Sequence, residues 1–113
     1  MKLSIRKNKA YAEINSFGGF VDKFEIDNKP ILFPKVMIKI EDELKFRGGV
    51  HVCAPNFGSD KIHNTLSNHG FCRDLDWEVV DQKDDFIRLS LDGIGDYKGV
   101  NFQLFYEIRP NLL

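Results

Sequence analysis

Cysteine is scarce in this chain, with only Cys53 and Cys72 among 113 residues. Two cysteines make no disulfide framework, and in a reducing compartment the default is a pair of free thiols. Long apolar runs are missing too. None approaches the roughly 20 residues that a helical membrane span needs, so no membrane partner is expected. The opening MKLSIRKNKA has no apolar stretch of signal-peptide type, which makes cytoplasmic placement the expectation. Neither sign of charge dominates: Lys and Arg number 16, Asp and Glu 17, for a formal net charge of −1. That balance removes the electrostatic footprint of a nucleic-acid binder. Apolar residues nowhere recur at helical spacing for long enough to mark a helix. No P-loop, GxSxG or dinucleotide fingerprint occurs.

What is present suits one soluble domain over residues 1–113. Hydrophobic residues make up 42% and charged residues 29%, and ten phenylalanines promise an apolar core. Short alternating stretches follow one another. Leu3 and Ile5, a turn at Lys7-Asn8-Lys9, then Ala12 and Ile14 predict a hairpin over residues 2–17. Gly18-Gly19 marks a corner or bulge. Phe20, Phe24 and Ile26 predict a strand, Asp27 to Pro30 a turn, and Ile31 to Phe33 a brief strand. Val36, Ile38 and Ile40 alternate before the acidic Glu41-Asp42-Glu43, which reads as a solvated turn rather than a metal site. Strands resume at Trp77–Val80 and Phe86–Leu91. The cleanest alternation, Phe102 to Ile108, comes before Arg109–Leu113, where a further strand begins. Many short strands at regular intervals predict an all-β antiparallel sandwich or barrel.

Between these stretches, Arg47 to Trp77 has little periodicity and most of the chemistry. It holds all three histidines, both cysteines, the only tryptophan and Gly48, Gly49, Gly58 and Gly70. Arg47 beside Gly48-Gly49 sets a rigid fork of donors next to bare backbone, suited to hydroxyls, carboxylates or phosphate; a surface salt bridge is the plainer reading. His51, Cys53, His69 and Cys72 form HxC and HxxC pairs, which do not match the usual spacing of zinc loops. On a strand, Asp74, Asp76 and Glu78 share one face, with Trp77 pointing to the core. Phe57, Phe71 and Trp77 among polar donors offer the mixture that grips a sugar, although core packing explains them equally. From residue chemistry alone, the chain is a ligand-binding β protein.

Taken together and in order, Gly18-Gly19, RGGVHVCAPNFG and NHGFCRDLDWEV resemble the aldose 1-epimerase, or galactose mutarotase-like, superfamily. The likeness is strongest to its hexose-6-phosphate 1-epimerase branch, which carries RGGxPxxxPxFG followed by HGFxRxxxW. His51 stands where that branch has proline, and Ala54 where tryptophan is common. The resemblance implies a galactose mutarotase-like β-sandwich enzyme that interconverts the α and β anomers of a hexose or hexose 6-phosphate, without cofactor or metal. By position, Arg47 and His69 would bind the sugar near its reactive end and Arg73 the sugar or phosphate. His69 is also a candidate catalytic group. The family's general-acid histidine and general-base glutamate lie in a later part of a longer chain. This sequence therefore resembles the N-terminal half of the fold, a partial sandwich with little activity of its own and an uncovered sheet edge that invites self-association. The alternative is a non-catalytic carbohydrate-binding module.

Overall fold

The computed structural model describes residues 1–60 and 65–113, and among them nine strands and two 3-10 turns. Strands β1 (Lys2–Lys7), β2 (Ala10–Asn15), β3 (Phe20–Ile26) and β4 (Lys29–Pro30) form one antiparallel sheet in that order. Strands β5 (Val36–Ile40) and β6 (Glu43–Arg47) form a separate two-stranded ribbon. The third sheet is the meander β7 (Glu78–Lys83), β8 (Phe86–Asp92) and β9 (Asn101–Glu107).

The turns follow from residues that tolerate left-handed backbone. Asn8 (φ 53°) closes β1 to β2, and Asp27-Asn28 (φ 52° and 62°) closes β3 to β4 in the sense that matches strand twist. Glu41-Asp42 (φ 49° and 66°) does the same between β5 and β6, which makes the acidic cluster a solvated turn as expected. Pro30 sits on the short edge strand, where its missing N–H breaks no ladder.

Period-two alternation decides which side chains meet. Leu3 and Ile5 of β1 pair with Ile14 and Ala12 of β2, while Ile87, Leu89 and Leu91 of β8 pair with Tyr106, Leu104 and Phe102 of β9. These inward sets from the four-stranded sheet and the meander merge into one buried cluster, with Ile5, Ile14, Ile87 and Leu89 essentially without exposure. The expected antiparallel sandwich is the observed architecture. Trp77 closes the cluster, 4% exposed, and its indole N–H donates to the Cys72 carbonyl at 2.8 Å.

Four local expectations change. Ile31 to Phe33 is not a strand; pairing stops after Lys29–Pro30, and Ile31 and Phe33 stay exposed. Glu43 to Arg47 forms β6, unannounced because Leu44 and Phe46 alternate for only one repeat. Asp74 belongs to the 3-10 turn Cys72–Asp74, so Asp74, Asp76 and Glu78 do not share a strand face. Finally, Arg109 folds back on Leu112 through a 2.7 Å backbone hydrogen bond, a tight turn rather than a new strand.

Candidate functional site

Three distant stretches of chain surround a cavity of about 800 Å³, the range of small-molecule sites. Its wall includes Asn15, Phe17 and Phe20 from the β2–β3 corner, Lys35 just ahead of the ribbon and Phe46 within it, Arg47 to Gly49 and His51, and Arg73 and Asp74. Each stretch is fixed through its backbone. The Arg47-Gly48-Gly49-Val50 segment is tied to β3 by a reciprocal pair of bonds between Val21 and Val50, at 2.8 and 2.9 Å. Gly49 N–H also donates to the Phe33 carbonyl at 2.7 Å.

Arg73 is placed by glycine contacts. Gly18 (φ 77°) donates its N–H to the Leu75 carbonyl at 2.8 Å, and a side chain there would run into the Arg73 carbonyl. Gly70 (φ 75°) lies against the Ala54 carbonyl just as closely, while Cys72 N–H donates to the same oxygen at 3.1 Å. Only residues without Cβ admit both approaches. The 3-10 turn is thereby pressed between two loops, and the Arg73 guanidinium donates from Nη2 to the Asn68 carbonyl at 2.9 Å. Arg47 donates from Nη1 to the Phe46 carbonyl at 2.8 Å. Among the described residues neither arginine forms an ion pair, so the salt-bridge reading of Arg47 has no support.

Beside the cavity runs a ladder of rings: Phe20 to His51 at 5.9 Å, His51 to His69 at 5.5 Å, and His69 to Phe57 at 5.1 Å between centroids. His69 takes left-handed backbone (φ 64°), costly for a residue with a Cβ. Its Nδ1 accepts the Gly58 N–H at 2.8 Å, which fixes the neutral tautomer and leaves the proton on Nε2. That geometry suits His69 to donating a hydrogen bond. His51 has its pKa held below the ordinary 6.5 first by partial loss of its hydration, then by the Arg73 guanidinium, with His69 adding to the effect and Asp74 opposing. At neutral pH His51 is therefore an uncharged imidazole at the cavity wall.

Arg47, Arg73 and the pair Gly48-Gly49 thus meet in one place, whereas His69 stands behind the wall, against His51. His63 lies outside the described residues. The expected sugar-gripping aromatics are redistributed: Phe71 and Trp77 are core, and Phe57 is 83% exposed. The rings on the cavity are Phe17, Phe20 and Phe46. Sequence reasoning missed Asn15, these three rings and Lys35, the last because only the fold brings it beside Phe20 and Phe46. Cys53 and Cys72 are free thiols, and burial pushes Cys72 up to about 11, which makes it unreactive. No cluster of three or more metal-ligating side chains occurs among the described residues, nor does any helix there have the length and apolarity to cross a membrane.

No protein-family model matches the chain. A curated protein of Cenchrus ciliaris named "Putative glucose-6-phosphate 1-epimerase" is 35% identical over 69 residues, 60% of this chain and 20% of that protein. A galactose mutarotase related enzyme from Lactobacillus acidophilus superimposes with a TM-score of 0.72 at 20% identity, over 98% of this chain and 40% of that one. A galactose mutarotase-like protein from Lactobacillus casei gives 0.62 at 18% identity, over 96% and 40%. The fold is the galactose mutarotase-like β-sandwich, and the likeness extends to the hexose-6-phosphate branch. The chain spans about two fifths of the solved structures and one fifth of the curated relative.

Proposed function

We propose that this chain forms the sugar-binding part of a mutarotase site for a hexose 6-phosphate, corresponding to the N-terminal half of the galactose mutarotase-like fold. The observation that carries the reading is the joint presence of Arg47, Arg73 and His51 on one cavity of about 800 Å³, walled by the glycine pair. The sequence likeness to a glucose-6-phosphate 1-epimerase supports the choice of substrate.

The reaction breaks one bond and remakes it. A general acid protonates the ring oxygen while a general base takes the proton of the anomeric hydroxyl, so the C1–O5 bond cleaves to the open aldehyde. Rotation about C1–C2 presents the other carbonyl face, and reclosure returns both protons. In this scheme Arg47 and the Nε2–H of His69 hold sugar oxygens near the reactive end, and Arg73 takes the phosphate. The acid–base pair comes from elements outside the described residues, so these residues alone turn over little substrate. Two free thiols favour a cytoplasmic setting. Self-association through the exposed ribbon belongs to the same reading, because an open, apolar two-stranded ribbon is a template for pairing.

Calorimetry with glucose 6-phosphate and glucose tests the substrate. Replacing Arg73 with Ala is expected to weaken the phosphate ester about ten-fold or more and the free hexose much less, the scale of one charge-assisted bond. Equal loss for both sugars would remove the phosphate assignment. A binding module without catalysis is the second reading, favoured by Asp74 being the one carboxylate on the cavity wall among the described residues. Sugar affinity that leaves anomer exchange, followed by NMR, unaccelerated even when the remaining part of the fold is supplied selects that reading; acceleration excludes it.

A further inference from the structure

Lys35 is held in an unusual way for a lysine. Its side chain is only 14% exposed, and its ammonium lies 4.0 Å from the Phe20 ring centre and 4.5 Å from that of Phe46. The two rings confine the cation by attraction to their faces without engaging an N–H in an ordinary hydrogen bond. Its counter-ion is Asp22, whose backbone carbonyl accepts the Lys35 N–H at 2.9 Å and whose Oδ1 lies 3.6 Å from Nζ. That separation is too long for a hydrogen bond, and Asp22 Oδ1 has no hydrogen-bond partner among the described residues although it is buried. The ammonium is thus positioned while its three donors make no hydrogen bond among the described residues. It lines the same cavity as Arg47 and Arg73, where Asp74 is the one carboxylate among the described residues.

We infer that Lys35 is a specificity-determining residue of this cavity, the cation that joins Arg73 in a subsite for a phosphomonoester dianion. This rests on the hexose-phosphate reading above. Arg73 offers a planar fork, and Lys35 adds a compact point charge fixed by two rings. An arriving phosphate oxygen takes the hydrogen bonds that Asp22 is too far away to accept. Selection of the phosphorylated sugar over the free one then depends on Lys35, in addition to Arg73.

Binding of glucose 6-phosphate, glucose and inorganic phosphate to the chain, to Lys35→Gln and to Asp22→Asn/Lys35→Gln tests this. Removing one partner of a nearly buried pair leaves a stranded charge, so the double variant separates folding from recognition. Both variants are expected to lose about ten-fold or more for glucose 6-phosphate and for inorganic phosphate, the worth of one charge-assisted bond, with a far smaller change for glucose. Unchanged phosphate affinity in the folded double variant overturns the role of Lys35 and leaves the hexose-phosphate reading intact. So does a loss shared equally with glucose. If the unaltered chain binds inorganic phosphate but no sugar, the hexose reading fails, and the phosphate arm alone judges Lys35. If it binds no anion, both fall.

Discussion

Ile87 and Leu44 are both apolar residues in alternating strands, yet Ile87 is fully buried and Leu44 is 69% exposed. The difference separates two regions. In the sandwich, β1–β2 and β8–β9 turn their apolar faces toward one another, and each strand supplies what the other covers. In the ribbon β5–β6, Met37, Leu44 and Phe46 are more than half exposed, and nothing among the described residues lies over them as a second sheet. Alternation produces a strand in both cases. It produces a core only where a facing layer exists, since a two-stranded ribbon alone is marginal in water.

The largest expected effect probes that contrast directly. Leu89→Ala empties a fully buried position and should cost about 2–5 kcal/mol in urea unfolding. At concentrations low enough to keep the chain monomeric, Leu44→Ala should stay within about 0.5 kcal/mol, as for an exposed site. A comparable loss at Leu44, growing with protein concentration, would show the ribbon covered in solution. Gly18→Ala comes next, because it places a Cβ against the Arg73 carbonyl at φ 77°. It should destabilise by about 1 kcal/mol or more and weaken glucose 6-phosphate binding as well, the joint signature of a residue that links sandwich to site. Preserved affinity would detach Arg73 from Gly18.

Self-association is the next distinction. Sedimentation at rising concentration should show oligomers that Phe46→Lys reduces, whereas Phe105→Lys on the outer face of the meander should not. Equal behaviour of the two variants would remove the ribbon from the interface. The smallest effect is electrostatic. Because His51 titrates below its ordinary 6.5, the unfolded chain binds the extra proton first as pH falls. Its contribution is complete above the unfolded value and declines as pH drops from there through the folded one. Proton NMR of the His51 ring should give a midpoint under 6.5 that moves upward in Arg73→Ala, since Arg73 is one cause of the depression. A midpoint that ignores the substitution would place the guanidinium elsewhere.

The sandwich was largely legible in the sequence, because Leu3-Ile5, Ala12-Ile14, Ile87-Leu89 and Phe102-Leu104 carry their burial in their period. Turn chemistry at Asn8, Asp27-Asn28 and Glu41-Asp42 was legible for the same local reason. Arg47 and Arg73 could be singled out from motif likeness, and the fold does bring them to one cavity. Lys35 could not, since its significance lies in Phe20, Asp22 and Phe46, none of them a sequence neighbour. The ribbon's second strand escaped notice because Leu44 and Phe46 are too few to establish a period. Asp74 was misplaced because the turn that holds it is set by Gly18 and Gly70 contacts from elsewhere in the chain.

The manner in which the cavity is built has a consequence for how such a site can diverge. Its frame is main chain: the Val21–Val50 pair, Gly49 to Phe33, Gly18 to Leu75 and Cys72 to Ala54. The groups that would meet a ligand hang from that frame without carrying its weight. His51 is exposed, Arg47 is exposed, and neither forms an ion pair among the described residues. Exchanging them alters what is recognised at small cost to folding, whereas the glycines that admit the backbone contacts have almost no permitted replacement. Lineages sharing this frame are therefore free to trade ligands while their glycines stand still.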